Sequence, residues 1–462
     1  MTRTAFGSSP ACGLAWPGLG ALLLTATTLL TAASRAEPPH ESPQSPDPRA
    51  LRRTPVVQVF EEGKDSVVYI TGPILAEGQS SLQEFFRLPG KPLGHISIGS
   101  GFVIHPAGYV LTNAHATEKV IAHNVRLSDG KICLADLIAT DHDEDVALLK
   151  IDAGRALKAV RLAQAGDLMV GETVVVIANP EGLLHTCTTG VVSAIGRTTN
   201  VTDAKLLLKD LIQTDASINP GSSGGPWFNI AGEVMGMTAT KKRDAENIGF
   251  AIPIATLRKL LPGMLDVENR GGLAPGLVVE PEGACRVKSV EANSAAAKCG
   301  IRPGDVIAKL GDWAVPSAAE FHLALVGRKP DEPLPIEVLR DGKPQALTLT
   351  PCRRPKPDAA DLLRKKLGLT AAPLDHKTAE TMILQVERGV IVTAVDSWYY
   401  ANLQHKPAPG DVLARIAGIR PRDLDQLALI LEKMHSGQSV PLVLLRYRDT
   451  VASRIDINLT LP

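Results

Sequence analysis

The sequence predicts a mostly β protein: two small β-barrels side by side in one domain, followed by two small α+β modules. Three observations carry that expectation. Between Val56 and about Leu260, short β-branched runs recur between Gly, Asn, Asp and Pro turns, among them Ser66–Ile70, Thr173–Ile177, Gly190–Ala194 and Glu233–Met237. Such spacing is the signature of a barrel or sandwich. Three chemically distinctive segments divide between the halves of this region, with His115 and Asp145 in the first and Ser223 in the second. Two barrels with a crevice between them would bring the halves together. Finally, Pro303-Gly304-Asp305-Val306 returns as Pro409-Gly410-Asp411-Val412, each copy followed by an apolar strand, a helical stretch and another strand.

The elements follow in chain order. Residues 1–36 contain no Asp or Glu, carry Arg3 and Arg35, and hold an apolar run from about Leu19 to Ala33 ahead of Ser34-Arg35-Ala36. This reads as a cleaved secretory signal, since the run falls short of the roughly 20 residues that a bilayer span needs, with an uncleaved anchor or an organellar transit peptide as the alternatives. Residues 37–55 hold six prolines among polar and charged residues and are expected to form an extended tether. The two-barrel domain occupies 56–262. It closes on a helix from Ile254 to Leu261 that is expected to stop before Pro262. A Gly- and Pro-rich linker, Asn269–Gly276, leads to the first module at 275–352 and the second at 361–462. The modules' helices are expected at 318–326 and 423–433, and their following strands at 335–339 and 440–445.

Composition narrows the function. At 462 residues the chain exceeds a single core. Its 49 Lys and Arg balance 49 Asp and Glu, and aromatics are only 4%, so nothing argues for a nucleic-acid partner. No His, Cys, Asp and Glu residues fall at metal-ligand spacing, and no cofactor is implied. Cys133 and Cys187 sit in apolar strand patterns, while Cys285 and Cys299 are candidates for a bridge within one module.

The most informative stretch is Gly221-Ser222-Ser223-Gly224-Gly225-Pro226. A Gly-x-Ser-Gly-Gly loop suits a nucleophilic serine. The backbone N–H groups of Ser223 and Gly221 can converge on one point, where the oxyanion of a tetrahedral intermediate would sit. A serine hydroxyl becomes nucleophilic when an imidazole takes its proton, and the imidazole needs a carboxylate to fix its tautomer. His115 ends the apolar strand that starts near Tyr109, and Asp145 directly precedes the Val146–Leu149 strand. The expected catalytic set is therefore His115, Asp145 and Ser223, with Gly221 and Ser223 forming the oxyanion hole. The order His, Asp, Ser is that of chymotrypsin-like enzymes.

Gly99–Ile104, Leu111–His115, Asp145–Leu149, Gln213–Ala216, Ile218–Gly221 and Ile248–Pro253 together resemble the HtrA (Deg) serine proteases. Ser222 and Ala116 depart from the residues usual in that family, though neither supplies a triad group. The resemblance covers most of 56–260 and extends more weakly into two PDZ-like modules. It implies a chymotrypsin-like fold and an ATP-independent serine endopeptidase of protein quality control. The enzyme would lie in the periplasm or otherwise outside the cytoplasm, as a homotrimer or larger homo-oligomer. Its partners would be unfolded polypeptides and peptides with hydrophobic C-termini. The alternative is a non-enzymatic peptide-binding chaperone or scaffold on the same fold.

By the same resemblance, Ser217 stands at the base of the S1 pocket, with Ile248 and Phe250 on its wall. Ser217 offers no charge to a basic side chain, so small aliphatic P1 residues are expected. Asp215 competes as an acid but belongs to the family's Gln-Thr-Asp-Ala turn. In the PDZ-like modules a loop caps a peptide's terminal carboxylate. Pro275–Val278 is the poorer candidate, and Lys366-Leu367-Gly368-Leu369 the better one, so Leu367, Gly368 and Leu369 are the expected peptide-binding residues.

Overall fold

The computed structural model describes residues 48–73, 95–118, 123–201, 206–242, 245–374, 389–448 and 451–462, apart from residues 402, 418, 420 and 422. The expected signal segment and most of the expected tether lie outside the described residues. The tether's end is not extended throughout, because Pro48–Leu51 is helical. Pro55–Gly63, at the tether's boundary, forms a second helix. Thr54 caps that helix from its Oγ, and Pro55 takes the first turn, where its missing N–H costs nothing.

The first barrel closes from β1 (Val67–Pro73), β2 (His95–His105), β3 (Tyr109–Thr112), β4 (His123–Arg126), β5 (Ile132–Asp141) and β6 (Val146–Ile151), in the order β1-β2-β3-β6-β5-β4. The second comprises β7 (Arg161–Leu162), β8 (Thr173–Ala178), β9 (Thr186–Val201), β10 (Leu206–Thr214), β11 (Pro226–Phe228), β12 (Glu233–Lys241) and β13 (Gly249–Pro253). Its order is β11-β8-β9-β10-β13-β12-β7, and the β11–β12 pairing closes the ring. Val174, Val175, Ile177, Trp227 and Met237 are among its buried residues, with no exposure above 1%.

The closing helix runs Ile254–Leu265, past the expected stop, with Pro262 inside it. Pro262 removes one backbone hydrogen bond. Burial of Leu257, Leu261, Met264 and Leu265 holds the helix across it. The expected linker is also structured: Val267–Gly271 is helical, and Leu273–Ala274 (β14) pairs with Cys352–Arg353.

In the first module the helix is Ala318–Leu325, between strands Val306–Leu310 and Leu334–Arg340. In the second it is Leu424–Glu432, between Val412–Ile416 and Ser439–Arg448. The repeated Asp explains the repeated motif. Asp305, 2% exposed, accepts the Arg302 N–H and two bonds from Arg340, whose Nη2 also donates to Gly300 O. Asp411, 1% exposed, accepts the Ala408 N–H and two bonds from Arg446, whose Nη2 donates to Lys406 O. Each buried carboxylate is thus paired bidentately and hydrogen-bonded. Arg340 holds the Asp305 carboxyl below the usual range.

The first module is not a separate bead. Its core is continuous with that of the second barrel, whereas the second module has a core of its own. Arg258 of the closing helix, 5% exposed, donates to Ala163 O and Leu162 O and also to Ser317 Oγ and Glu320 Oε2 of the first module. His105 of β2 stacks on Trp313 at 5.2 Å between ring centres, with the planes 14° apart. The described cysteines, Cys285 and Cys299 included, are free thiols. Burial pushes the Cys285 thiol up to about 12.

Burial, aided by the Lys150 and Arg328 charges, lowers His105 to about 4, and burial against a weaker opposing pull from Asp266 lowers His322 to about 4. Both imidazoles are therefore neutral in the folded protein while the unfolded chain takes up protons below about pH 6.5. Their contribution to stability is complete above that pH and is lost as pH falls toward about 4. The melting temperature should drop between pH 7 and pH 4.5, and drop less in the His105→Gln/His322→Gln double variant. Equal drops in both proteins would show that other groups carry the acid sensitivity.

Candidate active site

Asp145 follows the turn that ends β5 and stands at the first position before β6, with a left-handed φ of 57°. Its side chain is 1% exposed. An isolated carboxylate buried so deeply would be costly, but this one is fully engaged. Oδ1 accepts the His115 backbone N–H at 2.9 Å and Oδ2 meets His115 Nδ1 at 2.7 Å. The Asp145 carbonyl accepts Asn113 Nδ2 and the Ala114 N–H. With Nδ1–H directed at the carboxylate, His115 Nε2 is left as the proton acceptor. The ring sits 18% exposed at the start of the short helix Ala114–Glu118.

The Ser223 loop joins β10 to β11. Asn219–Ser222 forms a turn closed by Ser222 N–H to Asn219 O at 2.9 Å, with Gly221 at φ 91°. Among the described residues the backbone N–H groups of Gly221 and Ser223 make no hydrogen bond, and Ser223 Oγ makes no direct bond to His115. Such contacts commonly tighten only when substrate is bound. Gly224 is held by its N–H to Thr238 O at 2.9 Å. A Cβ on Gly224 would lie 2.2 Å from Ser100 O and 2.5 Å from Thr112 Oγ1, so glycine is required by close approach as well as by its φ of 79°.

Beside the loop lies a cavity of about 510 Å³, whose wall includes Ser217, Ile218, Asn219, Lys241, Glu246, Ile248 and Gly249. Ser217 and Ile248 are on this wall. Phe250 is not, because it points into the barrel core and is 6% exposed. Asp215 is not on the wall either, since its Oδ1 is tied to the Val191 N–H at 2.7 Å.

The loop expected to capture a carboxylate departs from its reading. Gly368 ends a helical turn in a left-handed conformation and spends its N–H on Arg364 O at 3.1 Å, so this donor is not free for a peptide. Leu367 and Leu369 are core side chains, 0% and 2% exposed. Lys366 caps the neighbouring helix end, donating to Leu431 O and Met434 O.

Sequence reasoning gave no role to Ser100, Thr112, Asn179 or Thr238. Ser100 and Asn179 bond each other across the barrels, Thr112 Oγ1 donates to Ser100 O, and Thr238 receives the Trp227 indole N–H. The available signal was small polar residues in apolar strands, visible in Gly99-Ser100-Gly101 and Ala178-Asn179-Pro180.

Comparison with known proteins agrees with this architecture. Residues 99–237 match the trypsin-like peptidase domain family and residues 264–350 the PDZ domain family. A probable periplasmic serine endoprotease DegP-like of Pseudomonas putida is 33% identical over 376 residues, covering 76% of this chain and 77% of that protein. A protein of the same description from Marinomonas sp. is 30% identical over 408 residues, covering 81% and 85%. A putative serine protease HhoB of Synechocystis sp. is 35% identical over 275 residues, covering 55% and 66%.

Gly224→Ala should lower turnover per titrated active site by about 100-fold, the order that roughly 1 Å of misplacement costs. Gly166→Ala is the control: the backbone is equally left-handed, at φ 84°, but nothing lies within 4 Å of the added carbon. Unchanged turnover in Gly224→Ala would mean that the loop can shift without disturbing the site.

Proposed function

Because the chain belongs to the HtrA (DegP-like) family of serine endoproteases, we propose that Ser223 attacks the scissile carbonyl while His115 accepts its proton. Asp145 fixes the imidazole, and the N–H groups of Gly221 and Ser223 receive the oxyanion. The observation that carries this reading is the buried Asp145 carboxylate bound to both the ring and the backbone of His115. His115 passes that proton to the leaving amine as the C–N bond breaks, then takes a proton from the water that attacks the acyl-enzyme and returns it to Ser223 Oγ as the ester bond breaks. The substrates are proteins, and the unfolded or misfolded ones of the periplasm are the natural class for the chain's family and its expected signal. Association into a trimer belongs to the same reading. Peptides would add along Leu369–Pro373, one of the two edge strands of the second module's sheet among the described residues.

We assign the P1 side chain to the cavity beside Ser217. Ile218, Ile248 and Gly249 supply its apolar wall, and Ser217 supplies no charge for a cation. The exposed Lys241 and Glu246 on the same wall balance in charge. Mass-spectrometric mapping of casein fragments should find cleavage mainly after small aliphatic residues. A preponderance of Arg or Lys at P1 would put Glu246 or Asp215 in contact with the bound side chain.

A fluorophosphonate probe should label Ser223 in the wild type and nothing in Ser223→Ala. Casein digestion should fall by about 10⁶ in Ser223→Ala and about 10⁴ in Asp145→Asn. Ser222→Ala should keep most of the activity, because the turn is closed by the Ser222 backbone N–H at 2.9 Å while its Oγ accepts the Asn219 N–H only at 3.4 Å. Digestion by Ser223→Ala at the wild-type rate would end the assignment.

A further inference from the structure

The loop that carries Ser223 belongs to the second barrel, yet much of its backbone is held by one residue of the first. Ser100, in β2, is fully buried. Its N–H donates to Ser223 O at 2.8 Å and its hydroxyl donates to Gly221 O at 2.8 Å. The same hydroxyl accepts the Asn179 N–H at 2.8 Å, and the Ser100 carbonyl accepts Thr112 Oγ1 at 2.8 Å. Thr112 lies three residues before His115. Every hydrogen-bonding group of Ser100 is therefore spent on the active-site frame.

We infer that Ser100 is a positioning residue for catalysis: its hydroxyl sets the oxyanion loop in the conformation that aims the Gly221 and Ser223 N–H groups at one point. This rests on the assignment of Ser223 as the nucleophile. The two peptide planes that carry those N–H groups alternate with planes whose carbonyls, Gly221 O and Ser223 O, are both tied to Ser100. Fixing a carbonyl fixes its peptide plane and so limits rotation of the planes beside it. Gly221 sits at φ 91°, but a glycine reaches either hand of the backbone map with little preference, so the loop needs an outside contact to select one.

Asn179 gives the contact its direction. Its N–H occupies one lone pair of Ser100 Oγ, which leaves the hydroxyl proton to point at Gly221 O. Asn179 is itself fully buried, and its Oδ1 accepts the His185 N–H, so the relay starts in the loop Pro180–His185 and ends at the oxyanion loop. Among the described residues the buried Asn179 Nδ2 has no hydrogen-bond partner. Ser100→Ala keeps the backbone bond to Ser223 O but removes both hydroxyl contacts.

The test uses the full chain with three readouts on each protein: active-site titration, steady-state kinetics on a peptide substrate, and inhibition by a peptide boronic acid and by the matching product peptide. The boronate forms a tetrahedral adduct that needs the oxyanion donors, and the product peptide does not. In Ser100→Ala, kcat per titrated site should fall by about 10- to 100-fold with KM within about 2-fold, below the full cost of losing a donor outright. Boronate affinity should fall by the same factor while product-peptide affinity stays unchanged. Ser100→Cys, whose thiol is a weaker donor, should fall between the two. Should Ser100→Ala yield no titratable sites, Ser100→Cys alone decides, by the ratio of its boronate loss to its product-peptide loss. Unchanged kcat and boronate affinity, or equal losses for boronate and product peptide, would overturn the inference. Failure of the wild type to label at Ser223 would instead remove the nucleophile assignment beneath it.

Discussion

Everything in the site hangs on one buried carboxylate. Asp145 is nearly sealed from water, and an unpaired charge there would not be tolerated. It is tolerated because His115 supplies two donors, one from the ring and one from the backbone. The same arrangement fixes the imidazole with Nδ1 on the carboxylate and Nε2 turned away from it. The stabilising contact and the chemically useful one are a single contact, which ties the order of the first barrel to the state of the site.

The second barrel meets that arrangement with a loop that has almost no regular structure. Its glycines allow close approach but do not choose a conformation. The choice comes from outside, from β2 through Ser100 and from β12 through Thr238, whose N–H donates to Gly225 O and whose carbonyl accepts Gly224 N–H. A loop held by the Ser100 N–H and hydroxyl of the first barrel and by the Thr238 backbone of the second stays in register only while the barrels keep their relative position. Arg258 and the stacked His105–Trp313 pair extend the same constraint to the first module.

That shared packing separates the two modules, which their repeated motif makes look alike. Both bury an Asp against an Arg and a turn, the Arg 35 residues on in each. The first has merged its core with the protease domain, so a displacement of it would disturb the closing helix Ile254–Leu265. The second keeps a separate core and touches the rest through polar contacts such as Lys433 with Asp266. The first module therefore has a packed connection to the protease domain, and the contacts that link the second to it are polar and solvent-screened.

The barrels, the modules and the candidate residues Ser223, His115 and Asp145 were legible in the sequence by itself. Each is written in local pattern: alternating β-branched runs, a glycine loop around a serine, a His and an Asp at strand ends. The duplicated Pro-Gly-Asp was legible for the same reason, although its buried Arg partners, 35 residues away, were not. Local pattern failed where long-range packing outweighed it. The closing helix runs through Pro262 because its apolar face is buried, and the expected linker folds because Leu273 is buried and β14 finds a partner strand in residues 352–353. Gly368 reads as a carboxylate loop until the helix it caps takes its N–H. The roles of Ser100, Asn179 and Arg258 were decided only by the tertiary structure. A buried hydrogen bond between residues 79 or 121 positions apart leaves no periodic trace in the chain, and only the closure of the barrels brings its partners within reach.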